Sequence, residues 1–383
     1  GGIAIFGIMD WDSVIGQDQV KQQLRDSILQ DRVSHAQLFV GKEGYGTLPL
    51  AMAYAQEVLA RENAHAAPKV AHMNHLDVHY SFPVYKIGDK PALSRNFFDE
   101  FRTSILDNPY MNFDEWSSRL DSENKQLIIS VHEVEEWANN FSLKSFEGGS
   151  KVLIVWNADR LRDDAANKLL KFLEEPPERT LIILTAENDQ DFLQTILSRT
   201  QLIQVPRISD EALAKYLSEN YALADDSVQN IVHRAQGDLN EARKLAEADG
   251  LSSEFEELFV QWVREAFQVA KKPQVLRNIL SWARDISFWN REKQKNFLDF
   301  CAEMFRLALL QNYGNAEMVY KTINVQKFNW EAFSKYIHGA NIESILEELS
   351  TADYHLQRNG NARIVWTDMG IKLSRYLHRK AVS

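Results

Sequence analysis

The chain has almost no cysteine, with Cys301 as the single example in 383 residues, and it has no long apolar run. One cysteine excludes an intramolecular disulfide and a cysteine-based zinc cluster, and it is typical of a reducing cytoplasm. Between Phe300 and Ala302, we interpret it as a buried helical thiol. No apolar segment approaches the roughly 20 residues of a membrane span, so we expect a cytoplasmic protein without membrane contact.

Basic residues are also in deficit, because 43 Lys and Arg face 54 Asp and Glu, a net charge of −11. Affinity for a nucleic-acid backbone comes mainly from clustered Lys and Arg, so a stand-alone DNA-binding protein is disfavoured. Any DNA contact is expected to be local or shared with partners. The start lacks the basic flank of a signal peptide, and we interpret residues 1–8, before Met9, as a cloning or upstream remnant.

Short apolar runs alternate with helical patterns in the first half, which predicts a parallel α/β domain over residues 9–206. Several runs are apolar nearly throughout, as strands covered on both faces require. Residues 83–125, rich in proline and aromatic side chains, are interpreted as an insertion in this domain. The predicted strands are 36–40, 76–82, 126–130, 151–156, 180–186 and 202–205.

Strand patterns end after Pro206, and the remainder is predicted to be helical. Residues 207–250 are interpreted as a small helical domain, with Ser209 as a candidate helix cap and a break at Gly237. Residues 251–383 are predicted to form a second all-helical domain. Its apolar stripe is expected to be mainly core and consists of Phe255, Leu258, Phe259, Trp262, Val263, Ala266 and Phe267.

The stretch GKEGYGTLPLA, residues 41–51, nearly matches the phosphate-loop pattern G-x-x-x-x-G-K-[ST]. Gly41 and Gly46 fall at the pattern's glycines, and Gly44 lies between them. Thr47 replaces the lysine that neutralises phosphate charge, and Leu48 replaces the hydroxyl residue that binds magnesium. The backbone part of a nucleotide site is therefore kept, while its charged part is lost.

The acidic motif that would complete such a site is also missing. It should lie at the end of the run KVLIVW, in the two residues before Ala158-Asp159, yet Trp156 and Asn157 stand where a metal-binding and a catalytic carboxylate would lie. We therefore expect neither hydrolysis nor a bound nucleotide, although weak binding is left open. The alternative is that the glycines only pack a strand against a helix.

Three stretches resemble the delta-prime subunits of the bacterial DNA polymerase III clamp loader, of the Bacteroidetes type, which are members of the AAA+ family. They are 33–51, 157–187 and 197–206, and the run LLKFLEEPP within the second is the most specific. By motif the resemblance covers residues 10–250. It implies an AAA+ sheet domain with a degenerate phosphate loop, a helical lid over 207–250 and a C-terminal helical collar over 251–383.

The resemblance also implies a role for Ser198-Arg199-Thr200, which matches a serine-arginine-cysteine motif of the family. Arg199 would be an arginine finger that acts in trans on the ATP of a neighbouring motor subunit. Thr200 replaces the cysteine without removing the charge. From the sequence alone, a solvated or salt-bridged surface arginine is the favoured interpretation of Arg199, and it is the resemblance that favours the finger instead.

Two departures from the family pattern concern metal and nucleotide. The four zinc-binding cysteines of many relatives are missing here. The stretch in their place holds histidines without a clear ligand spacing, so zinc is not expected. These histidines are His65, His72, His75 and His79. Asn240 stands where active subunits carry a sensor arginine, with Arg243 one turn further on.

The function that the resemblance implies is that of a clamp-loader subunit without ATPase activity of its own. Its expected partners are gamma/tau-type motor subunits, a delta-type clamp opener and, through the complex, the sliding clamp and primer-template DNA. An active gamma/tau-type motor requires the lost lysine and acidic motif. Another DNA-processing AAA+ protein, such as a Holliday-junction motor or a replication initiator, is disfavoured by the LLKFLEEPP run.

Overall fold

The protein is described by a computed structural model over residues 9–122, 124–190, 192 and 194–382. It divides into two compact units, with the boundary between Glu247 and Ala248. The interpretation of residues 1–8 as a remnant lies outside the described residues. The first unit holds both the predicted sheet domain and the predicted lid, so the boundary between those two stays a prediction.

A parallel sheet forms the centre of the first unit. Its strands are β1 Ala36–Val40, β2 Val78–Ser81, β3 Lys151–Val155, β4 Thr180–Ala186 and β5 Gln201–Gln204. Within the described residues the sheet has five strands in the order β2-β3-β4-β1-β5. β1 is central, with Leu38 paired to Leu184 of β4 on one side and to Leu202 of β5 on the other. This topology confirms the predicted parallel α/β class.

Burial on both faces explains why the strand sequences are apolar throughout. Every residue of β1, β3 and β4 is buried, and neighbouring side chains point to opposite faces. Ile183 packs in one core cluster, whereas Ile182 packs in another. Because all pairs are parallel, the carboxyl ends of β1, β3 and β4 meet at one edge, and the glycine loop and residues 157–161 both begin there.

The helices of the first unit begin and end largely where the sequence signals lie. Glu174 ends the helix that precedes Pro176, the Ser209 hydroxyl accepts a hydrogen bond from the Ala212 N–H, and Gly237 has φ 76° at the predicted break. The helices are α1 Asp18–Leu29, α2 Thr47–Glu62, α3 Ala66–Ala71, α4 Phe98–Asp107, α5 Phe113–Arg119, α6 Val131–Phe141, α7 Asp163–Glu174, α8 Gln194–Leu197, α9 Asp210–Asn220 and α10 Asp225–Ala235, followed by α11 Leu239–Gln268, which contains the boundary between the units.

The prediction of a strand over residues 126–130 is wrong. Only isolated bridges occur there, between Val84 and Ile128 and between Ile129 and Leu161. Ile129 is 1% exposed and belongs to the core. The run is therefore apolar because it is buried where the insertion returns to the sheet, just before α6, and not because it pairs along a strand.

The second unit is helical in the part that the structure describes, as predicted. Besides the C-terminal part of α11 its helices are α12 Leu276–Ser287, α13 Arg291–Asn312, α14 Trp330–Ser334, α15 Ile342–Gln357 and α16 Ala362–Leu377. Its core is aromatic: the rings of Trp262 and Trp282 stack with centroids 5.2 Å apart, and Trp366 meets Trp282 edge-on at 5.7 Å. Cys301 is fully buried, as predicted, and burial raises the pKa of its thiol. None of the helices in the described ranges is long and apolar enough to cross a bilayer.

Candidate functional site

The glycine loop turns the chain from β1 into α2 and depends on close packing at its first residue. The Gly41 N–H donates to the carbonyl of Ala186 at the end of β4 at 3.0 Å. A Cβ on Gly41 would lie 2.5 Å from the carbonyl oxygen of Val205, next to β5. Only glycine fits this position without moving the backbone.

Two backbone N–H groups of the loop are used within the loop itself. The Tyr45 N–H donates to the Lys42 carbonyl at 2.9 Å, and the Gly46 N–H donates to the Glu43 carbonyl at 3.1 Å. A phosphate loop binds its ligand because such groups point at the phosphates. Here they close a short 3₁₀ turn over Glu43–Tyr45 instead.

The side chains of the loop add little that would bind an anion. Thr47 and Leu48 are each 1% exposed, and Lys42, the loop's one cation, lies exposed before the turn. Glu43 is 7% exposed. Burial is the main cause that raises the pKa of its carboxyl to about 8; a hydrogen bond from its own backbone N–H opposes the rise, and the neighbouring charges of Glu187 and Asp159 add to it. The loop therefore faces carboxyl groups and not the lysine that would neutralise phosphate.

At the position of the acidic motif, an aromatic residue fills the core. Trp156 is fully buried, and its ring lies 5.6 Å from that of Phe101 in the insertion. Asn157 adopts φ 56°, and its N–H donates to the Thr185 hydroxyl at 3.2 Å. Asn157 thus turns the chain at the end of β3, and neither residue offers a carboxylate for a metal ion.

Two residues that the sequence analysis did not select cover the loop. The Tyr110 ring, from the insertion, has its Cε1 atom 3.1 Å from the position of a Cβ on Gly46. Asp238 lies so close to Gly44 that a Cβ there would meet its Oδ1 atom at 1.9 Å. Asp238 Oδ1 also accepts the N–H of Asn240 at 2.9 Å, in the first turn of α11. The loop is covered from two sides by the chain itself.

Arg199 lies in the turn between α8 and β5, with 35% of its side chain exposed. One terminal nitrogen, Nη2, is 2.8 Å from the Glu174 carboxylate at the end of α7. The other, Nη1, donates to the Thr195 carbonyl at 2.8 Å and to the Ser198 hydroxyl at 3.3 Å. Thr200 donates its hydroxyl back to the Ile196 carbonyl at 3.2 Å. The guanidinium is therefore held in place and still reaches solvent.

The four histidines do not gather into a metal site. His65 is exposed and His72 is half-buried. Nδ1 of His75 accepts the Asp77 N–H at 3.1 Å, and the His79 ring packs on Phe141 with centroids 4.8 Å apart. Among the residues that the structure describes, no group of three or more His, Cys, Asp or Glu side chains is arranged to hold a metal ion.

Comparison with known proteins shows that the chain is similar to subunits of bacterial DNA polymerase III. Residues 16–209 match the family described as "DNA polymerase III, delta subunit". The chain is 28% identical over 211 residues to DNA polymerase III subunit delta' of Bacillus subtilis, covering 53% of this chain and 51% of that protein. It is 24% identical over 260 residues to subunit delta' of Escherichia coli, covering 67% and 73%.

A motor-type relative is also similar. Subunit tau of Bacillus subtilis DNA polymerase III is 26% identical over 246 residues, which cover 63% of this chain and 38% of that protein. The matched region thus spans about half or less of the length of the two Bacillus subtilis relatives.

Proposed function

This chain belongs to the family described as DNA polymerase III, delta subunit, and on that premise we propose that it is a delta-prime clamp-loader subunit that does not hydrolyse ATP. In this proposal it works in the cytoplasm with gamma/tau-type motor subunits and a delta-type clamp opener. The assembled complex places the sliding clamp on primed DNA at the expense of ATP. The family itself confirms the resemblance drawn from the sequence.

The covered glycine loop is the observation that carries the non-hydrolysing part of the proposal. Hydrolysis of ATP requires a lysine at the phosphates, a carboxylate on magnesium and a group that orients the attacking water. Thr47, Trp156 and Asn157 stand at these positions, and the Tyr110 ring lies against Gly46. The missing charged groups and the space filled by the Tyr110 ring thus both disfavour nucleotide binding.

The position of Arg199 supports a role on another subunit's nucleotide. Its guanidinium lies on the surface in a short turn between two elements, which restricts where it points. The ion pair with Glu174 is about half exposed, and pairs of this kind contribute at most about 1 kcal/mol. A phosphate group can therefore compete with Glu174 for the guanidinium at little cost.

Reconstitution of the complete complex tests the proposal. With a gamma/tau-type motor and a delta-type opener, Arg199→Ala should lower DNA-stimulated ATP hydrolysis at the adjoining site by roughly 10³ to 10⁵-fold, as loss of an arginine finger does elsewhere. Arg199→Lys should recover little, because an ammonium cannot replace the planar guanidinium. Motor variants that hydrolyse ATP only at the site next to this chain separate that site's turnover from the turnover of the other motor sites.

Arg119→Ala is the matched control. Arg119 is 34% exposed, like Arg199, and it is also paired with carboxylates, those of Asp107 and Glu115. Its loss should leave ATPase and clamp loading unchanged. Equal activity of the Arg199→Ala and Arg119→Ala complexes would show that Arg199 is an ordinary surface residue.

The similarity to subunit tau favours one alternative, an active motor of the gamma/tau type. The two functions differ in what the isolated chain does. We expect no calorimetric signal on titration with Mg-ATP, because the loop is covered and lacks its lysine. Micromolar binding of Mg-ATP by the chain alone would favour the motor.

A further inference from the structure

The insertion places a short turn, Asn108–Tyr110, against the glycine loop. Tyr110 is fully buried. Its hydroxyl accepts the Ile15 N–H at 2.9 Å, and its ring packs over Gly46. The phenol side chain thus fills the space between the last glycine of the loop and the N-terminal segment.

The same turn is hydrogen-bonded to the helical lid. Asn240, in the first turn of α11, donates from Nδ2 to the Tyr110 carbonyl at 2.6 Å. Its Oδ1 atom lies 3.3 Å from Nδ2 of Asn108, which donates to it. Asn108 also accepts the Tyr110 N–H at 3.1 Å, so the turn is ordered internally. The residue at the sensor position therefore binds the insertion.

On its other side the turn is anchored to the sheet through α4. Phe101 of that helix stacks on Phe82, just beyond β2, with centroids 3.9 Å apart, and it contacts Trp156 at the end of β3. The N–H of Asn108 donates to the Ser104 carbonyl and closes α4. A continuous series of packed residues thus joins the sheet, the insertion and the lid.

A ligand seated between a loop and a lid can hold the two together only while it is bound. We propose that the Asn108–Tyr110 turn is a permanent internal occupant of the loop, which excludes nucleotide and fixes the lid on the sheet at all times. The role of the insertion is then to replace a ligand. This inference concerns the chain alone, and it stands or falls separately from the assignment of Arg199.

Hydrogen exchange of the full chain, resolved by mass spectrometry, tests this role. Asn240→Ala removes the donor to the turn and should speed exchange in α9, α10 and residues 239–247 by about tenfold, the effect of one or two lost hydrogen bonds. Exchange in β1, β3 and β4 should change much less. Phe172→Leu is the control, because Phe172 is buried on the opposite sheet face, in the cluster of Trp137 and Phe141; it should not affect the lid selectively.

A milder variant keeps the test valid if Asn240→Ala does not fold. Asn108→Asp keeps the side chain's shape and the acceptor for the Tyr110 N–H, but it places a carboxylate against Asn240 Oδ1 and against the Glu115 carboxylate, the two acceptors of the Asn108 amide. It should speed lid exchange about fivefold. If exchange rates in the lid and in the sheet rose by the same factor in both variants, the proposal would be overturned. Protection of the lid by Mg-ATP in the unsubstituted chain would overturn it as well, because nucleotide would then enter with the turn in place.

Discussion

Replacing Glu43 with glutamine should stabilise the first unit at neutral and mildly basic pH. The Glu43 carboxyl is buried in the glycine loop, and burial, with the charges of Glu187 and Asp159, raises its pKa from 4.5 to about 8. The folded state thus holds the proton more tightly than the unfolded chain does. The stabilisation that this bound proton gives the folded state is complete below pH 4.5 and is lost as the pH rises from 4.5 to about 8.

The size of the effect follows from the width of that interval. Each pH unit within it costs at most about 1.4 kcal/mol, so the full loss is of the order of 5 kcal/mol, with roughly 3 kcal/mol already lost at pH 7. Glutamine has a similar shape and no charge at any pH. The Glu43→Gln variant should therefore avoid most of this loss.

Urea denaturation between pH 5 and pH 8 measures the difference. Peptide-resolved proteolysis separates unfolding of the first unit from that of the second. The free energy of unfolding of the first unit should fall more steeply with pH in the parent than in Glu43→Gln. Glu178→Gln, at an exposed position, should keep the parental slope. Equal slopes for the parent and Glu43→Gln would refute the view that the loop is lined by a buried, protonated carboxyl.

The remaining predictions concern packing in each unit. Gly41→Ala should destabilise the first unit by about 1–3 kcal/mol, because its Cβ would meet the Val205 carbonyl. Gly250 lies in helix α11 with open space around it, so Gly250→Ala should stabilise the protein by about 0.5–1 kcal/mol. Thermal unfolding temperatures that shift in the same direction for both variants would contradict this. Asn341→Ala should destabilise the second unit by roughly 3 kcal/mol, since the fully buried amide donates to the carbonyls of Tyr336 and Tyr376, and a neutral result in urea denaturation would contradict that account.

Local pattern was sufficient for most of the sheet. Residues 180–186 were predicted as a strand and form β4 with the same bounds. A continuous apolar run of this length is typical of a strand that is buried on both faces of a parallel sheet. Residues 126–130 have the same composition but form only bridges. Their burial comes from the insertion, which the apolar pattern does not distinguish from strand pairing.

From the sequence, the site could be predicted only at positions where a motif requires one particular residue type. The loss of the lysine at Thr47 and of the acidic residue at Trp156 could be identified from a pattern. The contact of Asn240 with Tyr110 spans 130 positions along the chain, and no local signal marks it. The burial of Glu43 was equally hidden, because a glutamate in a polar loop is usually solvated.

The packing of Trp156 makes the loss of the acidic motif hard to reverse. Restoring an aspartate at this position would leave the large cavity of a deleted tryptophan, at a cost of about 3–5 kcal/mol. It would also place an unpaired charge beside Phe101. A single substitution would thus lower stability and would still leave Thr47 in the position of the phosphate-loop lysine. Because Trp156 is fully buried, an acidic motif at this position would require several coordinated replacements in the core and in the loop.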